Sequence, residues 1–393
     1  MGRDAEPYTS AASPAMVPCE LASVRFAAVL HDRRSHLQGL QRNDIVIFSL
    51  TGATLVLAAA LQFGSGNPVL KFAVCAVALS LLAMNVSSGT ERAAAYLGAG
   101  ATGLLQASLG NLPEVLVCAF ALRAGLLQVV QAALVGSILA NSLLVLGLAI
   151  LVGGLKHGRM HFDAEAPRMI VSLMVLAVSA LAMPTLAHQL HTPAASHERA
   201  LSAACSILLL VVFVASLGFS LSSDPERSVR HADREAAASD GWALWLAVTV
   251  LVVASLGAAV VSEWFVSALE PAIEALHISQ AFAGIVVVAI AGNAVENVAG
   301  IRLMAKNRPD YAMSVILNSS LLIALVVGPA LVLLSFVLGG AALTLVLPPL
   351  LIAALLLTTL ISAIVVNDGE AIWLEGVALI GLYVIIAAAF WWG

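Results

Sequence analysis

Gly110-Asn111-Leu112-Pro113-Glu114 and Gly292-Asn293-Ala294-Val295-Glu296 are two versions of one pattern, with their glutamates 182 residues apart. Each sets a carboxylate inside a long apolar stretch. A charge near the centre of a bilayer costs roughly 2.5 kcal/mol or more. A chain that bears this cost twice, at matching positions, is using the pair. Discontinuous helices that meet at the bilayer midplane are how many secondary transporters hold an ion.

The surroundings place both patterns in a membrane. Hydrophobic residues make up 61% of the 393 and charged residues 10%, where a soluble domain carries about 25% charged residues. Mean hydropathy is +1.00. Eleven apolar runs approach or exceed the roughly 20 residues a spanning helix needs. They are 44–63, 68–87, 96–123, 126–153, 166–187, 200–222, 242–262, 278–304, 311–336, 341–366 and 372–391. With the N-terminus in the cytoplasm, alternation puts every basic residue but Lys71, Arg123 and Arg199 on the cytoplasmic side. That bias follows the positive-inside rule, and a missing or extra span would scramble it.

The expected fold is therefore an all-α polytopic membrane protein of about eleven transmembrane helices. Residues 1–42 form a polar cytoplasmic tail; they lack a basic segment leading into an early apolar core, so no cleaved signal is expected. A first helix covers 43–64. A first five-helix repeat covers 65–222, a charged cytoplasmic linker 223–241, and a second five-helix repeat 242–393. At the offset of 182, Gly110-Asn111 meets Gly292-Asn293, Glu114 meets Glu296, Ser137 meets Ser319 and Gly136 meets Asn318. Five is odd, so the second copy enters from the opposite side, giving inverted-topology repeats.

The motif residues supply one kind of chemistry. Gly110 and Gly292 permit a helix break and close backbone approach, and Pro113 removes a backbone donor. A break frees carbonyl oxygens and points helix ends at the site. Asn111 and Asn293 add amide oxygens on nearly the same helix face as Glu114 and Glu296. Ser137, Asn141, Asn318 and Ser319, on the following spans, are expected to face the same point. The sum is an all-oxygen shell, which suits a hard cation such as Ca²⁺. Burial and a neighbouring carboxylate each favour the protonated form of a carboxylate, whereas a bound divalent cation favours the ionised form. Cation and proton thus compete for Glu114 and Glu296, and competition at one site with alternating access is sufficient for antiport.

Other classes fit less well. Cys19, Cys75, Cys118 and Cys205 show no metal-site or disulfide spacing. The nine histidines fall in expected tails and loops and none is assigned a ligand role. An intramembrane enzyme needs a nucleophile–base set or a metal centre that the Glu, Asn and Ser inventory of the spans lacks. Channels build filters from rings of symmetric subunits rather than an internal repeat. A basic nucleic-acid footprint is absent at a net charge of −5. The expected partners are small inorganic cations and the lipid bilayer, with no cofactor.

The ordered motifs resemble the calcium/proton antiporter (cation/proton exchanger) family of the calcium/cation antiporter superfamily. The likeness runs from Gly110–Glu114 through Phe120–Gly125, Val135–Asn141, Leu144–Gly147 and Phe162–Ala166. It resumes at Gly292–Glu296, Asn318-Ser319-Ser320, Val366–Glu370 and Trp373–Gly376. The resemblance implies eleven spans, Ca²⁺ efflux driven by inward proton movement, and cation binding by Glu114 and Glu296. It also implies transported Ca²⁺ and H⁺ as the only small ligands. The chain departs from the family at Asn297, where a histidine is frequent, and at Leu322. Pro113 is more like the sodium/calcium exchanger branch. The alternative is therefore a Na⁺-coupled cation exchanger or a Na⁺/H⁺ antiporter on the same fold. Short loops suit a bacterial inner membrane.

Overall fold

A computed structural model describes residues 42–64, 67–94, 96, 105, 108–222, 242–338 and 342–392. The expected tail before Arg42 and the linker 223–241 lie outside them, as does Cys19. The first helices are α1 (Arg42–Phe63) and α2 (Pro68–Ala94). They are followed by α3 (Leu112–Arg123), α4 (Leu127–His157), α5 (Glu165–Gln189) and α6 (Glu198–Ser222). The second half holds α7 (Leu244–Leu276), α8 (Gln280–Gly292), α9 (Ala294–Ala305), α10 (Pro309–Leu338), α11 (Pro349–Val366) and α12 (Trp373–Ala389). A two-stranded antiparallel sheet joins β1 (Met160–His161) to β2 (Glu370–Ala371).

Among the described residues, eight helices are long and apolar enough to cross a membrane, or nine if the bent pair α8–α9 is one span. The expected eleven is not reached on length. Only the twelve residues of α3 are described as one helix within the third run, and α12 has 17 residues. His157 and His188 sit in the last turns of α4 and α5, not in loops as expected.

The offset of 182 carries through the backbone. Both α3 and α9 are twelve residues long and start at equivalent positions, 112 and 294. Each follows an asparagine with nearly the same non-helical backbone, φ −98° and ψ 16° at Asn111, φ −101° and ψ 22° at Asn293. Pro113 fits at the start of α3 because the first turn leaves its N–H positions unpaired. A π-helical turn interrupts α4 at Ala140–Val145, and another interrupts α10 at Ile323–Val327, the same place in each repeat. Such bulges recur at functional sites because they redirect side chains within a continuous helix.

One close crossing, of α4 with α8, brings the halves together at two glycines. A Cβ added at Gly136 on α4 would lie 2.4 Å from the Ile285 Cα on α8, and one at Gly284 would lie 2.7 Å from the Val129 carbonyl oxygen. In lipid, helices associate by this close packing of small residues. The flanks are apolar and exposed, as at Val56 of α1, Val253 of α7 and Ile385 of α12. These are surfaces suited to hydrocarbon.

Candidate functional site

The break before α3 puts Glu114 in the first turn of that helix, 1% exposed. Across from it, Ser137 on α4 donates its hydroxyl to Glu114 Oε1. Gly292, the last residue of α8, packs on the Glu114 side chain; an added Cβ there would meet Glu114 Cβ at 3.5 Å. The expected Glu114–Ser137 and Glu114–Gly292 neighbourhoods are thus both present.

The second cluster ties the repeats to each other. Asn141 lies in the π turn of α4 and is fully buried. Its Nδ2 donates to Asn293 Oδ1 at 3.1 Å and to Ser319 Oγ at 3.0 Å. Asn293 donates its own amide to the Ala289 carbonyl at 2.9 Å. One residue on, the hydroxyls of Ser142 and Ser320 lie 2.9 Å apart. Replacing Asn141 with alanine leaves Asn293 Oδ1 and Ser319 Oγ without this donor. Each unsatisfied buried group costs about 1–3 kcal/mol, so we expect Asn141→Ala to destabilise by about 2 kcal/mol or more. Thermal unfolding of the purified protein in detergent measures this, and an unchanged midpoint would refute it.

Among the described residues, three buried oxygens in this region have no hydrogen-bond donor: Glu114 Oε2, Asn141 Oδ1 and Asn297 Oδ1. All are acceptors, so no rotation of their own protons can satisfy them. They come from both repeats and form the kind of set a cation satisfies.

A cavity of about 1360 Å³ leads to the region. Gly110, Asn111, Glu296, Asn318 and Ser319 line its inner part. Asp163 and Asp310, at the starts of α5 and α10, lie at the other end, where Asp310 Oδ1 accepts from the Asp163 amide at 2.7 Å. Among the described lining residues the charged ones are Glu91, Asp163, Glu296 and Asp310, all carboxylates. Glu296 is half-buried on the wall, unlike Glu114. Asn318 is also on the wall, exposed, rather than within the buried network.

The opposite end of α10 leads into buried chain. Between α10 and α11 the chain runs extended through Leu343, Leu345 and Leu347, all buried. Leu343 N donates to Ser335 Oγ, Leu345 N to Ser202 Oγ and Leu347 N to Thr185 Oγ1, at 2.9, 3.0 and 2.9 Å. Gln131 Nε2 donates to the carbonyls of Thr344 and Val346. Non-helical backbone at this depth is tolerated because it is buried in protein with its polar groups paired.

Sequence reasoning missed Glu91, Ser142 and Ser320 as site residues and treated Asn297 only as a departure. The doublets Asn141-Ser142 and Ser319-Ser320 were a signal for the serine pair.

Matching helix starts in two repeats, each carrying a glutamate in its first turn, beside a cavity whose charged lining residues are all carboxylates, define a secondary cation transporter. The chain belongs to the sodium/calcium exchanger protein family, whose model matches residues 67–222 and 246–392. It is 35% identical over 337 residues to a Ca(2+)/H(+) antiporter of Synechocystis sp. (strain ATCC 27184 / PCC 6803 / Kazusa), covering 81% of this chain and 90% of that one. It is 32% identical over 324 residues to the Ca(2+)/H(+) antiporter ChaA of Bacillus subtilis (strain 168), covering 81% and 91%. Among solved structures, native YfkE superposes with a TM-score of 0.75 at 31% identity, over 88% of this chain and 99% of that one.

Proposed function

We propose that the protein is a secondary antiporter exchanging Ca²⁺ for H⁺ by alternating access. Glu114 and Glu296 take the cation or protons in turn, Asn111 and Asn293 supply amide oxygens, and Asn141, Ser137 and Ser319 hold the frame. The observation that carries the reading is the set of donorless acceptor oxygens, Glu114 Oε2, Asn141 Oδ1 and Asn297 Oδ1, beside a cavity whose charged lining residues, Glu296 among them, are all carboxylates. A hard divalent cation fits oxygen ligands of this type, and protonation is the alternative way to neutralise a buried carboxylate. The similarity to proteins named Ca(2+)/H(+) antiporters supports calcium and protons as the exchanged pair. The basic residues favour a cytoplasmic N-terminus; on that reading the cavity opens to the cytoplasm, and the membrane is a bacterial inner membrane.

The test is ⁴⁵Ca²⁺ uptake into inverted vesicles under an imposed proton gradient, with a sodium gradient in parallel. Proton-driven uptake is expected in the native chain and not in Glu296→Gln. Uptake driven only by sodium would overturn proton coupling, and uptake surviving in Glu296→Gln would remove that residue from the exchange.

A further inference from the structure

Glu91 lies in the last turns of α2, beyond the residues that repeat between the halves, yet its side chain stands on the wall of the same cavity as Glu296 and Asn111. Ser87, one turn earlier and also on the wall, donates to Glu91 Oε1 at 3.0 Å, which fixes the carboxylate toward the cavity. Arg92 is committed to another face of α2, where its guanidinium bonds Asp44 at 3.2 Å and covers the Trp242 ring at 4.0 Å. Glu296, Asn111 and Ser319 line the same cavity, and Ser319 Oγ accepts from Asn141 of the buried network.

We propose that Glu91 is a positioning residue for the cation: it receives a divalent ion from the cavity mouth, near Asp163 and Asp310, and passes it to Glu296. This rests on the antiport reading above. A carboxylate held on the wall of a narrow cleft raises the local cation concentration and the rate of capture, because low-dielectric walls focus its field. It has no partner in the second repeat: the offset of 182 puts Ile273 of α7 at the equivalent position. The repeat pattern therefore does not account for a carboxylate here, and capture from the open side does.

The full chain is reconstituted in liposomes, and ⁴⁵Ca²⁺ transport under a proton gradient is measured for the native protein, Glu91→Gln and Glu91→Asp. Glu91→Gln is expected to raise the KM for Ca²⁺ about five- to tenfold while kcat stays within about twofold, since loss of a steering charge acts on capture. Its kcat/KM is expected to depend less on ionic strength than the native value, and Glu91→Asp is expected to restore most of the KM. An unchanged KM in Glu91→Gln overturns the proposal. So does a fall in kcat alone, or equal thermal destabilisation of both variants, which would mark a structural role. Absence of proton-driven flux in the native protein overturns the antiport reading itself, and the proposal falls with it.

Discussion

Glu114→Gln is expected to lower proton-driven ⁴⁵Ca²⁺ uptake by at least about a hundredfold in protein that still folds. Glutamine preserves the size of the side chain and accepts the Ser137 hydrogen bond through its carbonyl oxygen. It removes the charge and the proton-carrying capacity together. Interactions with a charged group contribute about 1.5–3 kcal/mol each, and each 1.4 kcal/mol is tenfold; on the proposed reading Glu114 binds both exchanged ions, so the loss compounds. Ser137→Ala provides the contrast. It removes only the donor to Glu114 Oε1, so its effect is expected to stay within about tenfold. Equal loss in the two variants would mean that the hydrogen bond, not the carboxylate, governs exchange. Uptake by Glu114→Gln at native rates would remove Glu114 from the site.

Gly136→Val is expected to destabilise the protein by about 3 kcal/mol or more, at the upper end of what overpacking costs. The obstruction is backbone against backbone. The added Cβ would lie 2.4 Å from the Ile285 Cα and 2.7 Å from its carbonyl oxygen, and neither atom can swing away as a side chain does. α4 and α8 would have to separate, and Ser137 and Asn141 ride on α4 while Gly292 ends α8. Folded yield and the melting midpoint in detergent report the change. Gly52→Ala on α1, where nothing lies within 4 Å of the added Cβ, is the control and is expected to shift stability by no more than about 0.5 kcal/mol. A native melting midpoint for Gly136→Val would show that the crossing is looser than the geometry indicates.

Much of this site can be read from the chain because buried charge is costly in a membrane. The two Gly-Asn-x-x-Glu segments announce themselves, and the 182-residue offset that aligns them also aligns the starts of α3 and α9 and the π turns of α4 and α10. What the offset does not reveal is how the repeats touch. Ser319 is the counterpart of Ser137, yet it accepts from Asn141 rather than serving its own repeat's glutamate as Ser137 does. Equivalent positions thus have unequal partners, and no repeat comparison contains that information. Asn318 was expected to face the same point as Ser137, Asn141 and Ser319; successive helical residues point about 100° apart, so it lines the cavity beside Glu296 rather than joining the buried network. Glu91 escaped notice because apolarity ends near Ser87 while α2 continues to Ala94. Hydropathy marks where a helix leaves hydrocarbon, not where it ends.

The extended stretch at Leu343–Leu347 takes its hydrogen bonds from Gln131, Thr185, Ser202 and Ser335, four side chains on four different helices. A sheet edge can unzip one rung at a time, but this clasp has no rungs. Displacing the bundle enough to open that end strands several buried amides and carbonyls at once. Partial release is therefore the costliest arrangement, and the seal is either fully shut or fully remade. A carrier that must never expose its cargo to both sides gains from that: the leaky halfway posture is disfavoured by the backbone itself, before any ion has bound.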